Sequence, residues 1–203
     1  MNITHILLDE HRIIEQVLNC VERMADRCES EHKLDCALAQ DAIIFFRGFI
    51  ERCHHGREDA QLLPAMHAMG ISPERCLGCS MLQKREEGRS YLDAMQAAIK
   101  AASAGDAIAL KRFTKHARRY IGLILEYIAR KEDSLFPIIA QTLPDADEAL
   151  VGKALHASTG GGQDERAYRT YIDLANRLAD HLDVPRAVIA GSPSNRSESE
   201  SWL

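Results

Sequence analysis

The chain has 203 residues, of which 46% are hydrophobic and 27% charged, and its formal net charge is −5. This composition excludes disorder of the whole chain, because it supplies enough apolar surface for a core. It also argues against a nucleic-acid partner: the densest basic stretch, residues 111–119, has helical spacing and is better explained as a solvated helix face.

Four amphipathic helices are predicted along the first 143 residues. Apolar side chains recur at spacings of three and four, as at Leu7, Ile14 and Leu18 on the first helix. The predicted helices cover about 2–27, 34–63, 80–103 and 107–143. Helices of this length without strand-like alternation predict an all-α, up-and-down four-helix bundle.

Turn and capping residues predict where these helices begin and end. Asp106 follows Gly105 and is a good N-cap for the fourth helix. Pro64, followed by Gly70 and Pro73, is expected to end the second helix and to open a long loop. Pro137 is expected to kink the fourth helix or to split off a final segment.

The remaining residues predict an extension of the bundle. Helical patterns at about 145–157 and 164–182 flank a glycine-rich turn, and a polar tail follows. We therefore expect a bundle domain at 1–143, a helical extension at 144–182 and a disordered tail at 183–203.

Targeting signals and cysteines bear on the compartment. The N-terminus lacks the features of a signal peptide, and no stretch reaches the roughly 18 apolar residues of a membrane span, so we expect a cytoplasmic protein with no membrane partner. Its six cysteines should then be mostly free thiols. Cys76 and Cys79 form a single CxxC, either an incidental loop pair or a reversible disulfide.

Three side chains on the inner faces of the first two helices predict a metal site. His54 and Glu58 are four residues apart, so both project from one face of the helix, and His11 lies in the apolar stripe of the first helix. Imidazole and carboxylate groups are costly to bury unless they are paired or ligated. Together the three favour a shared polar or metal-binding centre over isolated core residues.

Four motifs resemble those of the hemerythrin-like (HHE) cation-binding family. They are Asp9-Glu10-His11-Arg12, Cys53-His54-His55-Gly56-Arg57-Glu58-Asp59 followed by Leu62-Leu63-Pro64, Met81-Leu82 followed by Glu86-Glu87-Gly88-Arg89, and Tyr127-Ile128-Ala129-Arg130-Lys131-Glu132-Asp133-Ser134-Leu135-Phe136-Pro137. The resemblance covers about residues 1–143.

The resemblance implies a non-haem, usually di-iron, centre inside the bundle. Arg85 stands where family members have a third-helix His, and Tyr127 stands where they have a fourth-helix His. Tyr127 is suited to bind Fe(III) as a phenolate, and Glu86 to replace the missing third-helix ligand. The implied ligand set is His11, His54, Glu58, Glu86, Tyr127 and Glu132.

Alternatives remain open at this stage. The site could hold a single metal, or the Arg85 guanidinium, placed among Glu58, Glu132 and Glu86, could neutralise these carboxylates in a metal-free, salt-bridged core. The leading function is a non-haem iron protein that binds, senses or reacts with O₂, peroxide or nitric oxide. The other classes are a di-iron redox enzyme and a metal-depleted regulatory or interaction protein, and the resemblance does not choose among them.

Overall fold

Long helices account for nearly all of the described chain, and no strand occurs among the described residues. The structure, a computed structural model, describes residues 3–68, 70–78, 80–142 and 163–189. Helix α1 is Ile3–Ser30, α3 is Pro73–Leu77, α4 is Met81–Ser103 and α6 is Gln163–Leu182. Helix α2 runs through Cys36–Phe45, Phe46–His54, His55–Arg57, Glu58–Leu62 and Leu63–Ala68. Helix α5 runs through Ala107–Arg130, Lys131–Leu135 and Phe136–Thr142.

Side-chain caps fix the helix starts. Asp106 accepts a hydrogen bond from the backbone N–H of Ala109 at 2.7 Å, which confirms its predicted role as an N-cap. Asp35 caps α2 in the same way, and Ser80 caps α4. The predicted helices therefore begin within a few residues of the observed ones.

Prolines near the ends of α2 and α5 lie within the helices. Pro64 does not end α2, which continues to Ala68, whereas a separate final segment of α5 begins at Phe136, next to Pro137, as predicted. Each follows a π-helical segment, Glu58–Leu62 or Lys131–Leu135. A π-turn moves the carbonyl groups of the preceding turn away from the proline ring, so the steric clash that normally breaks a helix is relieved. The predicted long loop also contains the short helix α3.

The first four long helices form an antiparallel bundle. Arg118 of α5 contacts the end of α1 at Glu29, whereas Glu132, near the end of α5, contacts His11 near the start of α1. Helix α4 packs along α5, and α5 packs along α1. These contacts confirm the predicted all-α bundle.

The hydrophobic core is divided by a polar layer. The larger cluster contains Phe45, Phe46, Phe49 and Phe113, all fully buried. A smaller cluster lies at the other end of the bundle. Five buried polar or charged side chains come from the helical turns between the two clusters: Glu10, His11, His54, Glu58 and Lys131.

Helix α6 covers the face formed by α1 and α2. Gly48 of α2 permits this contact, because a Cβ atom there would lie 2.1 Å from Cζ of Tyr171. The buried Gln16 donates to the carbonyl of Ala175 at 2.9 Å and accepts from the backbone N–H of Ala187 at 2.6 Å. These bonds tie α6 and the segment after it to α1. The predicted domain division stays a prediction.

Several predicted features fall beyond what the structure describes. The helical pattern at 145–157, Cys79, the side chain of Cys76 and the tail after residue 189 lie outside the described residues. Among the described residues, Cys20, Cys28 and Cys36 are free thiols, and Cys53 forms no disulfide. No helix in the described part of the chain has the length and hydropathy needed to cross a membrane.

Candidate metal centre

Two buried histidines are oriented by carboxylates. Nδ1 of His54 lies 2.9 Å from Oε2 of Glu10, and Nδ1 of His11 lies 2.8 Å from Oε1 of Glu132. Because an ionised carboxylate can only accept, each Nδ1 carries the proton and each Nε2 of the neutral ring keeps a lone pair. The two ring centroids are 5.0 Å apart. This is the orientation that metal-binding histidines need, with the acceptor nitrogen free for a cation.

A lysine ammonium lies between His54 and Glu58. Nζ of Lys131 donates a short hydrogen bond to Oε1 of Glu58 and lies 3.3 Å from Nε2 of His54. The lysine is 1% exposed and Glu58 is fully buried. The ammonium also lies 4.4 Å from the centroid of the Tyr127 ring, a cation–π contact. Lys131 is therefore held by a carboxylate, an imidazole and an aromatic face.

Arg85 binds the second oxygen of Glu58. Its Nη2 lies 3.1 Å from Oε2 of Glu58, and both terminal nitrogens contact Asp59 at 2.9 Å. The guanidinium thus takes part in neutralising the centre, as the metal-free alternative expected. Its partners are Glu58 and Asp59, whereas that alternative also named Glu132 and Glu86.

The structure brings most of the predicted ligands together, but not Glu86. His11, His54 and Glu58 lie in one buried cluster, and Glu132 joins it through His11. Glu86 has a side chain that is 76% exposed and forms an ion pair with Arg89 at 2.7 Å, because it projects from the outer face of α4. Tyr127 reaches the cluster through its ring face toward Lys131.

Each carboxylate of the cluster has a cationic side chain as its partner. Four carboxylates meet four cationic side chains, in the pairs Glu10 with Arg57, Glu58 with Lys131 and Arg85, Asp59 with Arg85, and Glu132 with Arg12. Burial by itself would raise the pKa of Glu58, but the charge of Lys131 and its hydrogen bond outweigh burial and lower that pKa. Glu58 is therefore ionised and fully paired.

His11 is kept neutral by burial. Loss of solvent lowers its pKa from 6.5 to about 4, although the hydrogen bond to Glu132 opposes the shift. Its ring stacks on Phe136 with centroids 5.6 Å apart. Nε2 of His11 is buried and has no hydrogen-bond partner among the described residues. This lone pair is the one unsatisfied acceptor of the two histidine rings.

The donor set does not fit the di-iron centre that the sequence motifs imply. No group of three or more His, Cys, Asp or Glu side chains within the described residues is arranged to hold a metal ion. Lys131 and Arg85 take up both oxygens of Glu58. A divalent ion next to these cations would meet repulsion in a buried, weakly screened place.

Sequence reasoning missed Glu10, Arg57 and Lys131. Lys131 lies four residues after Tyr127, so it shares the inner face of α5, and this spacing was the available signal. Glu10 was seen only as a neighbour of His11, although it is fully buried and binds Arg57 at 2.5 Å.

Comparison with known protein families agrees with this architecture. The family model described as hemerythrin HHE cation binding domain matches residues 2–139. No curated protein and no solved structure matches the chain. The match covers more than half of the sequence and all four helices that supply the polar cluster. The chain therefore belongs to the hemerythrin HHE cation-binding domain family.

Proposed function

We propose that this chain is a hemerythrin-type bundle that works without a metal ion, as a regulatory or interaction protein that binds a ligand or partner. The single observation that carries the proposal is the buried ammonium of Lys131, in contact with Glu58 and His54. An ammonium has three N–H donors, and here they meet a carboxylate, an imidazole lone pair and an aromatic face. An internal cation thus supplies the positive charge that this polar layer requires.

Electrostatics supports this proposal over an iron pair. The desolvation of two charges in a protein core costs several kcal/mol per ion, and only close and complete pairing offsets it. Glu58 achieves such pairing with Lys131 and Arg85. Two iron ions would require both cations to leave and would recruit Glu86 from the surface. The di-iron oxidant-binding function suggested by the motifs is accordingly less well supported.

One observation favours a second candidate, a single non-haem iron held by His11, His54 and Glu58. Nε2 of His11 has a buried lone pair without a partner, and both histidines are oriented by carboxylates. Iron bound there would supply reactivity toward a small oxidant such as O₂, peroxide or nitric oxide. The second candidate requires Lys131 to withdraw from the cluster.

Metal analysis of the purified full chain tests the proposal. The protein is produced with iron in the medium, desalted and analysed by elemental mass spectrometry, and then titrated with Fe(II) under anaerobic conditions. We expect well under 0.1 iron per chain and no saturable uptake. Lys131→Met, which removes the ammonium, and Lys100→Met, a solvent-exposed control on α4, are measured in parallel.

The alternatives give different results. One iron per chain, lost in His54→Gln and retained in Glu86→Gln, would support the single-metal candidate and contradict the metal-free proposal. Two irons per chain would restore the di-iron interpretation. A visible band of the ferric protein that disappears in Tyr127→Phe would additionally identify a phenolate ligand.

A further inference from the structure

A groove between the end of α1 and the start of α5 contains a cavity far from the polar cluster. Its volume is about 490 Å³, within the range of small-molecule sites. Cys28 lines the cavity from α1, and Leu110 and Thr114 line it from α5. Along α1, Cys28 lies roughly 26 Å from His11 at 1.5 Å per residue. The cavity is therefore separate from the buried histidines.

The inner wall of this cavity is largely apolar and contains one buried hydroxyl group. Leu110 and Cys28 are each 3% exposed, and Thr114 is 5% exposed. Oγ1 of Thr114 forms no hydrogen bond with oxygen or nitrogen among the described residues, and the thiol of Cys28, a weak partner, lies beside it. Burial raises the pKa of this thiol, although the Thr114 hydroxyl opposes the shift. The thiol stays protonated and inert, so the wall is suited to binding rather than to covalent chemistry.

Two lysines at the mouth of the cavity have no acidic partner. Lys111 and Lys115 are exposed and four residues apart, so both project from one face of α5 in adjacent turns. Neither forms an ion pair among the described residues. Because like charges at this spacing repel each other, an anion bound between the two ammonium groups would relieve that repulsion and be attracted by both.

The acidic side chain in the lining of the cavity is already paired. Among the described lining residues Glu29 is the one carboxylate, and it binds Arg118 at 2.7 Å. Arg118 also binds Glu22 and Asp26, which do not line the cavity. Pairing of Glu29 with Arg118 leaves the two lysines at the mouth as cations without a partner. Their charge matches that of a dianion.

We propose that this cavity binds a small phosphate monoester with an apolar body. The phosphate lies between the ammonium groups of Lys111 and Lys115, and the body extends along Leu110 toward Thr114. A phosphate monoester carries nearly two negative charges at neutral pH, whereas a carboxylate or a sulfate ester carries one. The inference goes beyond the proposed function, because it does not depend on whether the polar cluster holds a metal.

Isothermal titration calorimetry of the full chain at pH 8 and physiological salt tests this inference with three probes. Phenyl phosphate has the dianion and a ring, phenyl sulfate has the same shape with one charge, and inorganic phosphate lacks the ring. We expect one phenyl phosphate per chain and at least about tenfold weaker binding of the other two probes. No binding of phenyl phosphate would overturn the site. Equal affinity for phenyl sulfate would overturn the recognition of a dianion, and equal affinity for inorganic phosphate would overturn the role of the apolar wall.

Variants of α5 locate the ligand. Lys111→Gln and Lys115→Gln each remove one cation at the mouth, and we expect each to weaken the binding of phenyl phosphate severalfold. Arg112→Gln is the matched control, because it removes the same charge from the same exposed stretch of helix but Arg112 does not line the cavity. At physiological salt this control should bind as the parent does, since exposed charges are screened beyond about 8 Å. Ala107→Trp adds bulk at the exposed first residue of α5 without changing the charge, and it should also weaken binding severalfold.

These variants separate a defined site from diffuse attraction to a basic helix. Equal weakening in Arg112→Gln and in the two lysine variants would show that the phosphate responds only to overall charge, and would overturn the inference. Parent-like binding in Ala107→Trp would place the ring elsewhere and overturn it as well. Circular dichroism checks that each variant keeps its helical content. Iron in the purified chain would contradict the proposed function but not this inference, whereas failure of phenyl phosphate to bind would contradict only the inference.

Discussion

Replacement of Lys131 by methionine should strongly destabilise the fold. The substitution keeps an unbranched side chain of similar length but removes the ammonium that binds Glu58 and His54. Glu58 is fully buried, so without Lys131 its carboxylate would be left with Arg85 as cationic partner and would be incompletely compensated. Water cannot reach the buried carboxylate to replace the missing ammonium. The lost interaction should therefore appear as a lower free energy of unfolding.

The size of the effect follows from the burial of the pair. Removal of one partner from a buried ion pair costs about 3–5 kcal/mol, and Arg85 keeps the value near the lower end, at about 3 kcal/mol. If Glu58 is first replaced by glutamine, no unpaired carboxylate remains. In the Glu58→Gln background the same Lys131→Met change should then cost about 1 kcal/mol or less. The difference, about 2 kcal/mol, is the coupling energy of the pair.

Urea unfolding followed by far-ultraviolet circular dichroism measures all four members of this cycle. Lys100→Met, which changes an exposed lysine on α4, is the matched control and should stay within about 0.5 kcal/mol of the parent. The reasoning fails if Lys131→Met costs no more than this control. It also fails if the cost is the same with and without Glu58, since the ammonium would then not depend on that carboxylate.

Two further predictions concern packing and pH. Gly48→Ala should cost about 1–3 kcal/mol and loosen α6, because the new Cβ would overlap the Tyr171 ring at 2.1 Å. Gly56→Ala, with nothing within 4 Å, should instead gain up to about 1 kcal/mol, and urea unfolding with limited proteolysis compares the two. Burial lowers the pKa of His11 from 6.5 to about 4, so the unfolded state binds this proton first as the pH falls. The contribution of neutral His11 to the free energy of unfolding should therefore be fully present above pH 6.5 and should be lost toward pH 4, by up to about 3 kcal/mol. Urea unfolding at pH 7, 5 and 4 should show that His11→Gln removes this part of the decline.

Each of these predictions has a contrary outcome. Equal stability of Gly48→Ala and Gly56→Ala would mean that Tyr171 does not pack on Gly48. A second replacement, Tyr171→Ala, should relieve most of the overlap, and failure to do so would point to another cause. Parallel pH profiles for the parent and His11→Gln would show that His11 is not held neutral by burial.

The architecture of the bundle could be predicted because its signals are local. Apolar residues at spacings of three and four identify the inner face of each helix, and Asp106 and Ser80 cap the helices that follow them. His54 and Glu58 could be assigned to one face by the same spacing. These features depend on neighbours within one or two turns, so the sequence contains enough information to specify them.

The helix geometry at Pro64 and Pro137 could not be predicted in the same way. Whether a proline ends a helix depends on the turn before it, and both π-turns arise where the chain also supplies the polar cluster, at Glu58 and Lys131. Sequence spacing at 3.6 residues per turn contains no signal for such a widened turn.

The presence of Lys131 in the polar cluster could not be predicted from local sequence patterns either. A lysine is usually expected at the surface, because burial of its ammonium requires partners from other helices. Those partners, Glu58 and His54, come from a helix more than seventy residues earlier. Arg85 was considered as a substitute for a metal, but only the three-dimensional arrangement shows that Lys131 binds Glu58 as well.

The polar cluster extends from Arg85 on α4 to helix α6, which covers α1 and α2. Arg57 binds Glu10 and lies 5.4 Å from the centroid of the Tyr168 ring on α6, and Glu10 in turn orients His54. His54 then accepts from the ammonium of Lys131. Each group in this series of contacts depends on its neighbour for a hydrogen-bond or charge partner in a buried place. A shift of α6 that withdrew Tyr168 from Arg57 would therefore weaken the contacts of Glu10 and His54. The same network explains why an internal ammonium suits this site. Lys131 is a cationic partner of Glu58, just as Arg57 is the partner of Glu10.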